Sequence, residues 1–393
     1  MKTKVATAIA EGTAGEVAKT LAASVEQQLG GEKPSLVFVF ASTKQPLTEI
    51  VPAFGDQFKG ATFLGCSTAG EFTQSGDKEG AASIFAVVGD FKIYSAIGTG
   101  IRDDVEGTIT RLVTELPNEV EGYPHCTAVL LVDGLSGRGE EVTLLAAMML
   151  GETVRLAGGA AGDDLRMKET HVACNGQVHS DAVVISKIYS KVPLGVGVAH
   201  GHSPIGGPFQ VTKAEGNIVY ELDGKPAWDV WLDATREKAL ASGMDDPATL
   251  QGGDVNKYLG VYEGGLEVGE EFKVRVPIAK VPGGAMAFAC GIPESTSMHI
   301  MDSDGDRQIR SAGLAAKRAK DQLGSSAPAG AVVFDCRCRK DLLGNDFSKA
   351  VMTIAKELGA PVAGFEAYGE VAMNMADLSG FHNTTTVVLA FPE

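Results

Sequence analysis

Three glycine-rich segments that each carry an acidic residue are the part of this sequence best suited to binding chemistry. They are Gly65–Glu71 (Gly-Cys-Ser-Thr-Ala-Gly-Glu), Gly158–Asp163 (Gly-Gly-Ala-Ala-Gly-Asp) and Gly364–Glu370 (Gly-Phe-Glu-Ala-Tyr-Gly-Glu). Successive backbone N–H groups in a glycine turn form a small concavity that can hold an anion. A neighbouring carboxylate can hold a cation, so the pattern suits a zwitterion with its ammonium group on Glu71 or Glu370. The alternative is that the glycines only close tight turns between strands.

One cysteine, Cys66, and two histidines, His200 and His202, indicate two other kinds of chemistry. Cys66 lies in the first glycine-rich segment, where a turn could expose its thiol as a nucleophile, but no sequence feature identifies its base. His200 and His202 follow the apolar strand predicted at 194–199, and residues two apart on a strand face the same side. One of them could be an axial haem ligand, or both could hold a metal ion. The alternative is that they form a polar rim at the strand end.

Two common enzyme motifs are incomplete in this sequence. A phosphate-binding P-loop needs Lys and then Ser or Thr after its last glycine, whereas Glu71 and Phe72 follow Gly70. The Gly-x-Ser-x-Gly motif of serine hydrolases is absent around Ser67. With no complete catalytic set in view, a binding protein is the leading interpretation, and a thiol-dependent enzyme using Cys66 is an alternative.

A repeated strand–helix–strand unit leads into each glycine-rich segment. The predicted units are 36–40, 47–58 and 61–64; then 128–132, 140–150 and 153–156; then 331–334, 348–358 and 361–363. An apolar strand follows each segment, at 82–88, 182–188 and 384–391. Self-similarity on this scale indicates duplicated modules. The predicted fold is α/β, with duplicated strand-helix-strand-hairpin modules, mixed sheets covered by helices, and two domains.

Composition and charge restrict the partners. The 393 residues suggest two or three domains, and the net charge of −16 argues against nucleic acid and against anionic lipid surfaces. No apolar run approaches the length of a membrane span, so we expect no membrane insertion. The 6 cysteines are scattered along the chain, which indicates reduced thiols and a cytoplasmic protein.

The motifs together resemble those of the FIST family of sensory proteins. The similarity runs from about residue 33 to residue 392 and is carried, in the family's order, by Gly65–Glu71, Gly158–Asp164, Asp181–Val184, Gly201–Pro204, Val211–Thr212, Gly216–Asn217, Glu221–Ala227, Gly364–Glu370 and Phe381–Asn383. This resemblance implies an N-terminal strand and helix at 1–32, a FIST N-terminal domain at 33–222 and a FIST C-terminal domain at 223–393.

Membership of this family would imply ligand sensing, with amino acids as candidate ligands, and would not imply catalysis. Because the two domains occupy the length, we expect signalling through a separate partner such as a histidine kinase. Some relatives are described as haem proteins that sense nitric oxide, which makes His200 or His202 a candidate haem ligand.

We expect the pocket between the two domains, near the glycine-rich segments. The expected ligand-binding residues are Gly65, Cys66, Ser67, Thr68, Gly70, Glu71, Gly162, Asp163, Glu366, Tyr368, Gly369, Glu370, His382 and Asn383.

Overall fold

Three similar modules and one inserted domain make up the structure, a computed structural model that describes residues 2–373 and 380–393. Each module has the same order of elements: strand, helix, strand, helix, strand, a two-stranded hairpin and a final strand. The third module also has one extra short helix. The repeated units predicted from the sequence are therefore confirmed.

The first two modules are contiguous in the chain. The first comprises β1 (Lys4–Ala10), α1 (Ala14–Leu29), β2 (Leu36–Ala41), α2 (Leu47–Ala53), β3 (Thr62–Ser67), the hairpin β4 (Glu71–Thr73) and β5 (Gly76–Lys78), and β6 (Ala82–Val88). The second comprises β7 (Lys92–Thr99), α3 (Val105–Glu115), β8 (His125–Val132), α4 (Gly139–Leu150), β9 (Arg155–Ala160), the hairpin β10 (Val172–Cys174) and β11 (Gln177–His179), and β12 (Ala182–Ser190).

The third module is interrupted after its first strand, β13 (Gly195–His200), by the inserted domain at 203–302. That domain comprises β14 (Ser203–Glu215), β15 (Ile218–Leu222), β16 (Lys225–Pro226), α5 (Ala227–Ala241), α6 (Gly253–Leu259), β17 (Tyr262–Val268), β18 (Glu271–Arg275), β19 (Pro277–Val281), β20 (Ala285–Phe288) and β21 (Ser297–Asp302). The module then continues with α7 (Gly305–Asp321), β22 (Pro328–Cys336), α8 (Arg337–Leu343), α9 (Phe347–Leu358), β23 (Val362–Ala367), the hairpin β24 (Glu370–Met373) and β25 (Gly380–His382), and β26 (Thr385–Pro392).

Each module contributes four strands to a six-stranded sheet, and the hairpin of another module supplies the remaining two. The strand orders are β1-β6-β2-β3-β10-β11, β7-β12-β8-β9-β24-β25 and β13-β26-β22-β23-β4-β5. The second module thus gives its hairpin to the first sheet, the third gives its hairpin to the second, and the first gives its hairpin to the third. This exchange closes on itself and relates the modules by an approximate threefold symmetry. The inserted domain has a separate eight-stranded sheet.

The main core lies where the three sheets meet. Phe40 of the first sheet contacts Phe365 of the third with 4.7 Å between ring centroids, and Val129 of the second sheet belongs to the same buried cluster. Because each sheet also buries its other face under helices, its strands are apolar on both faces, which explains the short continuous apolar runs in the sequence. Among the described residues, no helix is long and apolar enough to span a membrane.

Three predictions about local structure need correction. The helix predicted at 47–58 ends at Ala53, because Pro52 breaks helical hydrogen bonding, and residues 54–60 form turns. The strand and helix predicted as a separate segment at 1–32 belong to the first module, where β1 pairs with β6 along its whole length. The glycine-rich segments do not begin as turns, because their first residues continue β3, β9 and β23.

Candidate functional site

The three glycine-rich segments meet at the approximate threefold axis and bond to one another. In each module the backbone N–H of the residue four positions after the first glycine donates to a carbonyl of another module. These bonds are Ala69 to Glu366 (3.0 Å), Gly162 to Ser67 (2.9 Å) and Tyr368 to Ala160 (3.1 Å). Return bonds run from the N–H groups of Glu366, Ala160 and Ser67 to the carbonyls of Gly70, Gly369 and His171. These six N–H groups are therefore occupied, and the expectation that the segments offer such groups to a ligand carboxylate is not met there.

The first glycine of each segment is required by a close approach of backbones. Cβ atoms built on Gly65, Gly158 and Gly364 would lie 2.6, 1.8 and 2.0 Å from the carbonyl oxygens of Val39, Leu130 and Val333. Each of those carbonyls belongs to the parallel strand that faces the glycine. The close approach of parallel strands therefore explains these three glycines, and the tight turns assumed by the alternative interpretation do not.

Two of the predicted acids have both carboxylate oxygens bonded inside the protein. Glu71 accepts from the Thr68 hydroxyl and from the Ala81 N–H, and burial raises the pKa of its carboxyl well above the usual value. Asp163 accepts from the N–H groups of residues 167–169 and from the Tyr368 hydroxyl at 2.7 Å. Burial tends to raise the pKa of Asp163, but these donors leave it lowered. Both acids thus hold loops together.

The other two predicted acids each keep one oxygen without a partner among the described residues. Glu366 is fully buried; one oxygen accepts from Arg337 at 3.1 Å and the other has no donor. Burial raises the pKa of Glu366 to about 8, although Arg337 acts in the opposite direction. Glu370 accepts from the Thr385 N–H at 3.3 Å with one oxygen, and its second oxygen is also unpaired. Since an unsatisfied buried oxygen is costly, these two positions call for a further partner.

Glu370 belongs to a group of five buried side chains, which we call the polar cluster. Its members are His202, Glu263, Arg275, Glu370 and His382, and each has a buried nitrogen or oxygen with no partner among the described residues. They lie between the end of the third module and the inserted domain. Backbone pairing places His382 opposite Glu370 in the β24–β25 hairpin. The Nε2 of His202 lies 3.6 Å from an Oε2 of Glu263, too far for a hydrogen bond.

Neighbouring residues connect the members of the polar cluster. The Thr384 hydroxyl donates to Glu263 at 2.8 Å, and Arg275 donates to the Phe381 carbonyl at 3.2 Å. Asn383, another predicted site residue, is buried beside them; its Oδ1 lies 3.5 Å from both the Cys290 thiol and the Val276 N–H. The segment from Phe381 to Thr385 therefore runs through the cluster and links its parts.

Burial sets the protonation of the cluster. It raises the pKa of Glu263 to about 8 and that of Glu370 well above the usual value. It lowers the pKa values of His202 and His382 well below the usual value. Near neutral pH the two carboxyls are mainly protonated and the two imidazoles are uncharged. The cluster therefore offers neutral hydrogen-bond donors and acceptors beside the cationic Arg275.

A cleft of about 930 Å³ lies beside the cluster and shares Arg275 with it. Its walls are α4 of the second module and the β17–β18 part of the inserted domain, and its lining includes Lys273, Arg275 and Phe381. Glu140 of α4 spans the cleft, because its carboxylate accepts from Arg275 and, at 3.1 Å, from the Gly291 N–H. Arg275, a member of the polar cluster, also lines the cleft, as does Phe381, whose carbonyl accepts from Arg275.

The prediction that a turn exposes Cys66 is wrong. Cys66 lies in β3 with no exposed surface, and burial together with the nearby Glu71 raises the pKa of its thiol well above the usual value. A nucleophilic cysteine needs an accessible thiolate, so this environment does not suit catalysis. Ser67 and Thr68 beside it are also buried, with hydroxyls bonded to His171 and Glu71.

The packing around His202 does not fit an axial haem ligand. The side chain of His202 is fully buried, and its two ring nitrogens face Gln308 at 3.5 Å and Glu263 at 3.6 Å. The Nδ1 of His200 lies 3.2 Å from the His202 N–H as its acceptor, and its ring centroid lies 6.0 Å from that of His202. Axial ligation by His202 would require it to leave this packing. Within residues 2–373 and 380–393, no three His, Cys, Asp or Glu side chains are arranged to hold a metal ion.

Sequence reasoning missed four residues of the site: Glu140, Glu263, Lys273 and Arg275. None belongs to a motif, and three of them lie in the inserted domain, far along the chain from the glycine-rich segments. One signal was available for Glu263, since it is a lone acid in the buried half of β17.

Two domain profiles match adjacent parts of the chain, and their boundary falls within the inserted domain. The profile of the FIST N domain matches residues 35–225, and that of the FIST C domain matches residues 227–373. An uncharacterized protein of Methanocaldococcus jannaschii is 28% identical over 172 residues, which are 43% of this chain and 33% of that protein. An uncharacterized protein of Mycobacterium tuberculosis is 26% identical over 243 residues, 60% of each chain. The matched region thus spans between a third and three-fifths of these relatives.

Proposed function

The chain belongs to the FIST family, whose domains are associated with sensing in signal transduction, and we propose that it senses a small zwitterion such as an amino acid. The proposed binding site is the polar cluster together with the inner end of the cleft. Of the residues predicted from the sequence, Glu370, His382 and Asn383 belong to this site. The remaining predicted residues support the meeting point of the three modules.

The unpaired buried atoms of the polar cluster carry this proposal. Five side chains in one region each lack a hydrogen-bond partner for a buried nitrogen or oxygen among the described residues. Native proteins satisfy more than about 90% of their buried polar groups, so a concentration of this kind indicates a bound polar molecule or ordered water. The large cleft shares Arg275 with the cluster, so a ligand held in the cleft would lie next to it.

The charges of the site fit a molecule with a carboxylate and an amino group. Lys273 and Arg275 provide the cationic donors that a carboxylate needs. The free oxygens of Glu263 and Glu370 provide acceptors for an ammonium group, which would itself lower the pKa values of those carboxyls. In this arrangement the ligand replaces the missing hydrogen bonds at both ends.

The position of the cleft suggests how binding is transmitted. Its two walls belong to different units, α4 of the second module and the inserted domain, so a ligand held between them favours one relative arrangement. We propose that a separate signalling protein in the cytoplasm, such as a histidine kinase, binds the favoured arrangement. The extent of the shift is limited by the ligand's difference in affinity for the two arrangements.

A thermal-shift screen of the twenty amino acids, followed by calorimetric titration, tests the proposal. A true ligand at 100 times its dissociation constant should stabilise the protein by about 2.7 kcal/mol. Lys273→Met and Glu370→Gln should each weaken binding at least tenfold, whereas Lys257→Met, on the exposed face of α6, should not. The proposal fails if no amino acid binds, or if both site variants bind as tightly as the original protein.

A further inference from the structure

The outer part of the cleft carries aliphatic side chains together with three exposed glutamates, Glu141, Glu267 and Glu294. Leu144 of α4 is 59% exposed and lines one wall. Leu266 and Val268 of β17 line the other wall, and Ile292 and Pro293 continue the apolar lining. The cleft therefore changes from cationic at its inner end, at Lys273 and Arg275, to a mixture of aliphatic and acidic side chains at its exposed rim.

The charges around the cleft distinguish between classes of anion. Lys273 and Arg275 are the lysine and arginine in its lining, while Glu140, Glu141, Glu267 and Glu294 supply four acidic groups. Arg275 is already engaged by Glu140. A phosphate-rich ligand would meet more negative than positive groups, whereas a single carboxylate needs only the inner pair.

The volume also exceeds what a small polar head group requires. At about 930 Å³ the cleft lies near the upper end of the range of about 300–1,000 Å³ that is usual for sites of drug-sized ligands. A carboxylate and an amino group at the inner end leave the aliphatic part of the cleft unfilled. Covering this apolar surface with a ligand's apolar chain removes it from water and so stabilises the complex.

We propose that the outer cleft is a subsite for an aliphatic chain, so that the ligand is an amphipathic amino carboxylate with a tail of several methylene groups. This inference rests on the proposed function, because Lys273, Arg275 and Glu370 must hold the head group for the tail to reach Leu144, Leu266 and Val268. We therefore expect the ligand's affinity to depend mainly on the length of its tail.

Calorimetric titration with an unbranched series tests this subsite: alanine, norvaline and 2-aminooctanoic acid. Each methylene that becomes fully buried should tighten binding about fourfold, and a half-buried one about twofold. Leu144→Ser should weaken binding of 2-aminooctanoic acid and leave alanine unaffected. Leu240→Ser provides the matched control, because Leu240 is also an exposed helical leucine (48%) and does not line the cleft.

The outcomes separate this inference from the proposed function. Equal affinity across the series, or loss of alanine binding in Leu144→Ser, would overturn the aliphatic subsite and leave amino acid sensing in place. If no member of the series or other amino acid binds, both proposals fail. Both leucines are exposed, so circular dichroism should show that both variants fold, and a difference between them reports on the cleft.

Discussion

Gly364 and Val333 face each other in neighbouring parallel strands, and a Cβ on Gly364 would lie 2.0 Å from the Val333 carbonyl oxygen. The pairs Gly65–Val39 and Gly158–Leu130 repeat this relationship in the other two modules. The glycines let the strands approach closely just before the residues that bond to another module. They therefore help to build the junction of the three modules.

Replacing Gly364 by alanine should destabilise the protein by about 3 kcal/mol, because the added methyl group meets the backbone of β22 and the Phe72 ring. Urea denaturation measures this free energy of unfolding. Gly15→Ala provides the control: Gly15 lies in α1 with open space around its Cβ position, so alanine should stabilise the helix by about 0.5–1 kcal/mol. A Gly364→Ala protein as stable as the original would contradict the packing argument.

The repeated units could be predicted because each depends on local pattern. Apolar runs of strand length and amphipathic helices are visible in the sequence. So is the start of α1, where the Glu16 carboxylate accepts from the Thr13 N–H at 3.1 Å. The exchange of hairpins could not be predicted. It depends on which sheet edge a three-residue strand such as β4 joins, and so short a strand carries no pattern that identifies its neighbour.

The residues of the candidate site likewise comprise some that sequence motifs predict and some that only the packing of the chain brings together. Glu370, His382 and Asn383 follow recognisable motifs of the third module, and they lie in the proposed site. Glu263 and Arg275 lie on neighbouring strands of the inserted domain, and only the packing of that domain brings Glu263 to His202 and Arg275 to His382. Glu71 and Glu370 occupy similar motifs, yet the sequence does not reveal that only Glu370 of the two keeps an unpaired oxygen.

The buried carboxyl of Glu366 should make stability fall as pH rises. Its pKa of about 8 in the folded protein exceeds the usual 4.5, so the folded state keeps a proton that the unfolded state loses. The protonated Glu366 carboxyl contributes fully to the free energy of unfolding below pH 4.5, and this contribution is lost as the pH rises to about 8. Between these limits the loss approaches about 1.4 kcal/mol per pH unit. Urea denaturation at several pH values should show that Glu366→Gln removes this part of the decline.

Glu79→Gln is the matched control for that experiment. Glu79 is an exposed partner of the same Arg337, so its replacement removes an ion pair without removing a buried carboxyl. The pH dependence of Glu79→Gln should follow that of the original protein. An unchanged slope in Glu366→Gln would show that Glu366 titrates near its usual pKa.

Cys66 should resist thiol reagents in the folded protein. Its thiol has no exposed surface and its pKa is raised by burial, so iodoacetamide at neutral pH should label it only after unfolding. Cys338 is partly exposed and provides an internal comparison. Mass spectrometry of native and urea-unfolded samples measures both sites. Rapid labelling of native Cys66, or loss of ligand binding in Cys66→Ala at unchanged stability, would support the thiol-dependent alternative.

The buried ion pair of Arg339 and Asp335 should be essential to the third module. Both side chains are fully buried, with Arg339 Nε 2.6 Å from an Asp335 oxygen, and the Thr386 hydroxyl donates to the other oxygen at 2.9 Å. Arg339→Met should destabilise the protein by about 3–5 kcal/mol, because it leaves the Asp335 carboxyl buried without its cation.

Adding Asp335→Asn should recover part of the stability lost in Arg339→Met, since a neutral amide is less costly to bury than an unpaired carboxylate. Lys317→Met, which removes an exposed ion pair with Asp321 on α7, should leave the free energy of unfolding close to its original value. Urea denaturation of the single and double variants measures these differences. If Arg339→Met were no more harmful than Lys317→Met, Asp335 would have to be protonated in the folded protein, and the pair would not hold α8 against β22 through charge.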